Sequence, residues 1–219
     1  MVTRNIQMGL PEAKQLRGKE TIHAILEATS KILFEQGESR IRIQEISAAT
    51  NISIGSIYHH FGNREALVIA AFVNNFTQEF GKEVMLIKQV LDALKPADMG
   101  PVSKQRIRDL FNHHFTTEQV LHRIQILGNL ATRPDLRKAV HDIQTQLIES
   151  LTESIQRVQA DGIVKKNMSA RALALTAMGL LVGRVTLALD ESGVSEDEWN
   201  DVVIEFFGGV LNPEHRDSD

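Results

Sequence analysis

The sequence predicts an all-α chain in two parts, an N-terminal three-helix unit over residues 1–67 and a larger helical body over residues 68–219. Three observations carry this reading. Apolar residues recur every three or four positions in block after block, and no segment alternates apolar with polar residues as a strand would. Around residue 51 the helical period stops only for Thr50, Asn51, Ile52 and Ser53 and then resumes, so two short helices must flank a tight turn. KPADMGPV, residues 95–102, is the clearest breaker in the chain. No internal repeat or low-complexity tract interrupts the pattern.

Composition narrows the function classes. A chain of 219 residues with 42% hydrophobic content can bury a sizeable core. It has no cysteine, which excludes disulfides, thiolate catalysis and cysteine-based zinc sites. It has no run of 18 apolar residues, and MVTRNIQMGLPEAKQ lacks the apolar core of a signal peptide, so a cytoplasmic location with no membrane partner is expected. Charge is uneven. Residues 1–67 hold 8 Lys and Arg against 7 Asp and Glu, net +1, and residues 68–219 hold 16 against 21, net −5. The positive balance lies on the N-terminal part, the direction expected for a polyanionic partner.

In chain order, Arg4, Lys14, Arg17 and Lys19 form a basic arm that either follows a nucleic-acid backbone or is a frayed, solvated terminus. The first helix is expected from about Glu20 to Gln36, with Ile22, Ile25, Leu26, Ile32, Leu33 and Phe34 as its buried stripe and Gly37 as its stop. Thr21 then stands near its start, either as a cap or as a hydroxyl beside amides that could meet a phosphate. In the next two helices Ile43, Ile46 and Ala49 recur, followed by Ile57, Tyr58 and Phe61. Asn51 tolerates the left-handed backbone a sharp turn needs, and Ser53 can cap the helix Ile54 to Phe61. That helix is about two turns long and too short to stand alone, so it must lean on Ile46 and Ile52.

Its outward side carries Ser53, Ile54, Gly55, Ser56, Tyr58, His59 and His60. Gly55 is poor for helix stability by about 1 kcal/mol relative to Ala, which suits a close approach by another backbone, such as a DNA phosphate. Ser56 and Tyr58 can donate to phosphate, His59 to phosphate or a base edge, and Ile54 can touch a thymine methyl. Asn63 caps a new helix that presents Arg64 as a phosphate clamp, and Arg42 and Gln44, at the start of the second helix, complete the DNA-facing candidates.

These residues resemble a known pattern. SIGSIYHHFGNREAL (Ser53 to Leu67) resembles the signature of the TetR family of bacterial transcriptional regulators, and ILEATSKILFEQG (Ile25 to Gly37) and IQEISAATNIS (Ile43 to Ser53) resemble the family's first two helices in order and spacing. Four positions depart from the common pattern: Arg42 replaces a capping Thr, Asn51 the turn Gly, Arg64 a Lys and Ile54 a polar residue. The resemblance implies a helix-turn-helix DNA-binding domain at residues 1–67 and an effector-binding and dimerisation domain at 68–219.

The body reads as helix after helix. One runs from Asn63 to about Leu94, with Phe72, Phe76 and Phe80 at fourfold spacing, and the resemblance adds a lever role for it. Others are expected over Ser103 to Ala131, Asp135 to Ala160, Ser169 to Leu189, and from Ser195 to near Leu211, where Ser195 and Glu198 make a capping-box pattern. An apolar effector pocket is expected to draw on Phe76, Phe111, His114, Gln125, Asn129 and Gln144. His114, Glu118 and His122 share one helix face and are a candidate metal set. The apolar Ala170 to Ala188, with small residues at Gly179 and Gly183, together with Trp199, Val203, Phe206 and Phe207, is expected to pair with a second copy as a four-helix bundle. Alternatively these faces bury against the chain's own helices.

No Walker loop, GxSxG, HExxH or dinucleotide fingerprint occurs, and no cofactor is implied. The expectation is therefore a non-enzymatic, ligand-responsive regulator, a repressor by the family's habit, which binds a pseudo-palindromic operator in double-stranded DNA as a homodimer and is released by a small, mostly apolar effector. The alternatives are a metal-responsive regulator of the same fold and a helical adaptor that binds only protein.

Overall fold

The computed structural model describes residues 10–94, 117–183, 185–189 and 193–208, with the side chains of residues 10–15, 117–120, 181, 188, 207 and 208 left aside. The described residues are helical and contain no strand. The helices are α1 (Leu10–Gln36), α2 (Ile43–Thr50), α3 (Ile54–Phe61), α4 (Arg64–Ala93), α5 (Thr117–Thr132), α6 (Pro134–Ala160), α7 (Ala170–Gly183), α8 (Val185–Ala188) and α9 (Glu196–Gly208). A single 3-10 turn, Glu38–Arg40, joins α1 to α2. The chain divides into two compact units, Met1–Asn75 and Phe76–Asp219. The expected division at residues 67 and 68 falls inside α4, whose first turns belong to the first unit.

The first unit closes around Ile25 and Leu33 of α1, Ile41, Ile43 and Ile46, Ile57 of α3, and Leu67, Val68, Ala71 and Phe72 of α4. The rings of Phe34 and Phe72 lie 6.2 Å apart. Three expectations for α1 are corrected. The helix begins ten residues earlier than Glu20, because Pro11 suits a first turn, where no amide donor is needed, and EAKQLR that follows is made of helix formers. Lys14, Arg17 and Lys19 are thus helical rather than part of a free arm; Arg4 lies outside the described residues. Thr21 is inside the helix, where its hydroxyl donates to the Arg17 carbonyl at 2.8 Å, so it cannot present first-turn amides to a phosphate. Ile22, expected in the stripe, is exposed.

In the second unit α6 packs on α7 and on α5, and α5 also meets α7 and α8. The junctions follow local chemistry. Pro134 occupies the first turn of α6 and Arg133 alone separates it from α5, so the expected break is a one-residue hinge. Arg137 donates to the last carbonyls of α5, Leu130 at 2.7 Å and Ala131 at 2.9 Å. After α6, Gly162 takes a φ of 78°, and Gln159 donates to the carbonyls of Lys165 and Met168, holding the turn that leads to α7. Ser195 and Glu198 form the anticipated capping box: the Ser195 hydroxyl accepts from the Glu198 amide at 3.2 Å, and the Glu198 carboxylate accepts from the Ser195 amide at 2.8 Å. That amide, and then the Ser195 hydroxyl, hold the Glu198 carboxyl below the usual range.

Candidate functional site

The site in the first unit is built by the short interruption between α2 and α3. Asn51 adopts φ 56° and ψ 29°, the left-handed conformation, and reverses the chain without a glycine. Ser47 locks the turn from below by donating to the Ile52 carbonyl at 2.7 Å. Ser53 caps α3, its hydroxyl accepting from the Ser56 amide at 3.1 Å. At the other end Gly62, with φ 78°, sends its amide to the Tyr58 carbonyl at 2.8 Å, and the Asn63 side chain accepts from Ala66 at 2.8 Å to start α4.

With both ends of α3 held, its orientation follows from one buried contact. Ile57 has no exposure, and the opposite side leaves Ser53, Ile54, Gly55, Tyr58, His59 and His60 exposed, with Ser56 half-buried. The His59 and His60 rings meet edge to face at 5.5 Å. This helix carries no acidic residue. A Cβ on Gly55 would meet nothing closer than the Ser53 hydroxyl at 4.0 Å, so the chain's own packing does not require glycine there.

Gln44 and Arg42 are exposed beside this surface, but Arg42 makes no capping bond at the α2 N-terminus. It donates to the Ser39 carbonyl at 2.7 Å and the Ile41 carbonyl at 3.2 Å. Arg64 behaves alike. Its guanidinium donates to the Glu38 carbonyl at 2.6 Å and the Ile41 carbonyl at 3.2 Å, and lies 3.9 Å from the Glu38 carboxylate. In this structure the expected phosphate clamp therefore faces the Glu38–Ile41 turn and positions the entry to α2. Sequence spacing did not show this, because the partners lie 26 and 23 residues away.

Residues 25–71 match the profile of the bacterial regulatory proteins of the TetR family, the stretch that contains α2, the turn, α3 and the start of α4. Over that stretch the chain is similar to TetR-family regulators. Over 79 residues it is 32% identical to an uncharacterised HTH-type transcriptional regulator of Mycobacterium tuberculosis, a match covering 36% of this chain and 38% of that relative's length. Over 175 residues it is 22% identical to the HTH-type transcriptional repressor AcnR of Corynebacterium efficiens, covering 78% of this chain and 85% of that one. In fold it is similar to a TetR-family regulator from Mesorhizobium loti, with a TM-score of 0.68 and 18% identity over 90% of this chain and 98% of that one.

The body of the chain departs from several expectations. Phe76 is fully buried, as an interior residue should be, whereas Phe111 and His114 lie outside the described residues. Gln125 is corrected: it is exposed, because the inner face of α5 is set by Arg123 and Ile126 and the helical period turns Gln125 outward with Leu121. Asn129 shares that side and donates to the Gln125 carbonyl at 2.9 Å, while Gln144 is half-buried on α6. Of the metal candidates only His122 has a described side chain, half-buried on α5, so the triad as a set lies outside the described residues.

On α9 the candidate Val203 is also corrected. It is 4% exposed within the single chain, beside Ile204 and Asn200, so its side chain serves the chain's own core. Val202, 71% exposed, and Phe206, 60% exposed, form the outward face with half-buried Trp199, whose ring nitrogen has no partner among the described residues. The side chain of Phe207 lies outside the described residues. On α7 nothing within 4 Å would meet a Cβ on Gly179 or Gly183.

Sequence reasoning missed one pair. Glu83 and Arg123 form an ion pair at 2.5 Å, with side chains 2% and 5% exposed. Burial pushes the Glu83 carboxyl up to about 7 against the pull of Arg123, and Glu79 adds to the rise. A signal existed: Glu83 falls on the same helical stripe as Phe76 and Phe80, where a charge is out of place.

Proposed function

We propose that this chain is a homodimeric, ligand-responsive repressor that binds a pseudo-palindromic operator and acts in the cytoplasm. The single observation that carries the DNA reading is the exposed face of α3, where Ile54, Gly55, Tyr58 and His59 stand on a helix with no acidic residue and without an internal reason for glycine. In this reading residues 1–67 are the DNA-binding domain and 68–219 the effector and dimer domain. Ile54 and His59 face base edges, while Ser53, Ser56, Tyr58 and the Gly55 backbone meet phosphate. Arg42, Gln44 and Arg64 support the neighbouring backbone contact, the two arginines chiefly by holding the turn before α2.

The dimer reading rests on the apolar stretch Ala170–Leu187. Ala170, Ala174 and Met178 are buried within the chain while Leu175 is exposed, and by length and composition the stretch would also suit a membrane span. Pairing with a second copy, aided by Val202, Phe206 and Trp199, covers that surface and places two recognition helices about 34 Å apart or somewhat more. A small effector bound in the body then favours an arrangement of α4 in which the two heads no longer match their half-sites, to the extent that it binds that state more tightly.

Selection of genomic fragments by the purified protein, followed by anisotropy at two salt concentrations, tests this. The expected result is one enriched inverted repeat with salt-dependent affinity, weakened about tenfold or more by Tyr58→Ala with the dimer and helicity unchanged. Equal binding by Tyr58→Ala would remove α3 from the interface, and stable hetero-complexes without DNA binding would favour the adaptor.

A further inference from the structure

The turn before α2 gathers more charge than its own hydrogen bonds require. Arg64 donates through Nη2 to the Glu38 carbonyl at 2.6 Å and through Nε to the Ile41 carbonyl at 3.2 Å. Arg42 donates through Nη1 to the same Ile41 oxygen at 3.2 Å and to the Ser39 carbonyl at 2.7 Å. Two guanidinium groups are thus brought to one oxygen, and the sharing places Arg64 beside Arg42 at the start of α2, on the border of the exposed α3 surface. One carboxylate stands among them, that of Glu38, 3.9 Å from the Arg64 Nη1. That separation is too long for a hydrogen bond, and each of the two side chains is 36% exposed, so water and ions reach the pair.

The Arg64 fork therefore has two unlike edges. Its Nε and Nη2 hydrogens are committed to backbone oxygens, whereas among the described residues Nη1 faces only the Glu38 carboxylate. Glu38 cannot withdraw its backbone, because its carbonyl accepts from the Ile41 amide at 3.1 Å as well as from Arg64. The carboxylate is kept near Nη1 by its tether and held to it by charge alone.

We propose that Glu38 is an internal competitor for the DNA phosphate at Arg64: its carboxylate fills the Nη1 edge in the free chain and is displaced when a backbone phosphate docks there, which limits the affinity of the α3 surface for DNA. This rests on the reading of the first unit as DNA-binding. A carboxylate and a phosphodiester offer a guanidinium the same partner, an anionic oxygen that accepts N–H bonds. Nη1 can change from one to the other while Nε and Nη2 keep hold of the turn, so Arg64 supports the turn and meets the phosphate at once. Exposed ion pairs are weak, and release of Glu38 costs little. The displaced carboxylate stays close by and repels the phosphate, and that repulsion falls on DNA binding alone. Because a phosphate carries no sequence information, Glu38 weakens binding to every duplex alike and leaves sequence preference untouched.

The test is fluorescence anisotropy of the whole chain on two labelled duplexes at two salt concentrations, one duplex enriched by genomic selection and one unrelated of the same length. Glu38→Gln is expected to bind both about two- to fivefold more tightly at the lower salt, with their affinity ratio unchanged and a salt slope steeper by up to about one. Glu35→Gln removes the same charge from the exposed last turn of α1, away from Arg64, and should gain less than half as much. In an Arg64→Gln background the gain from Glu38→Gln should vanish. A carboxylate that merely supported the turn would give the opposite sign, weaker binding by Glu38→Gln. That result, no change, an equal gain from Glu35→Gln, or a gain that persists without Arg64 would overturn the proposal. Should Arg64→Gln not fold, the sign of Glu38→Gln against Glu35→Gln decides the matter alone. The regulator reading is separated by the same data: the gain on both duplexes without sequence preference keeps the competitor and removes the operator, preference without the gain removes only the competitor, and no duplex binding removes both.

Discussion

In the first unit the interior around Ile25, Ile41, Ile46, Ile57, Leu67 and Phe72 is apolar, and its buried polar side chain, Thr29, returns its hydroxyl to the Ile25 carbonyl of its own helix. In the second unit the interior encloses Glu83, Arg123, Ser154, Gln159 and Asn200 alongside Phe76, Phe80 and Ile126. The distinctive chemistry of the first unit stands outside, on α3; that of the second is taken inside. A surface that reads a large polyanion needs a rigid, sealed support, because its contacts are all made outward. An interior that admits a small molecule needs polar groups where water is absent, and electrostatic contacts there are stronger and more expensive to leave unmade.

Breaking the buried charge should give the largest effect. Arg123→Ala leaves Glu83 buried without its partner, and a loss of about 3–5 kcal/mol is expected, read by urea denaturation monitored by helicity. A change below about 1 kcal/mol would mean that the interior is wetter than its burial implies. Ile57→Ala, in the sealed unit, should lose about 2–5 kcal/mol and with it the fixed orientation of α3. If the α3 surface kept its DNA affinity in that variant, the sealed core would not be what supports it.

The contrast can be sharpened by pH. The Glu83 carboxyl stands at about 7 in the folded chain against an ordinary 4.5, so between those values the folded state holds more protons than the unfolded one. Stability therefore falls as pH rises from 4.5 to about 7, by about 3 kcal/mol from this group, and is flat in this term above and below. Comparing wild type with Glu83→Gln across that window isolates the effect, and identical profiles would remove it. The smallest change concerns the turn. Asn51→Ala, at φ 56°, should lose about 1–2 kcal/mol, and Asn51→Gly should be near neutral or stabilising.

Much of the recognition end was legible from order and spacing. Asn51 as the turn residue and Ser53 and Asn63 as caps all depend on neighbours within a few residues. The start of α1 is equally local, set by Pro11 and the helix formers after it, but its basic residues fit a solvated arm as well as a helix. Less of the body could be seen. Residue type points Gln125 inward and Val203 toward a partner, and the helical period anchored by Ile126 and Ile204 turns each the other way.

By itself the sequence determined most helix positions, the start of α1 excepted, together with the Ser53, Asn63 and Ser195 caps and the α2–α3 turn, because hydrogen bonds and side-chain periods inside a helix reach no further than about four residues. Only the tertiary structure decided which side chains share an interior. It turned Arg64 onto the Glu38–Ile41 turn, put Val202 rather than Val203 on the outer face of α9, and brought Glu83 to Arg123. Those partners lie tens of residues apart, and it is helix packing, with the desolvation it imposes, that chooses which charges meet and which must face water.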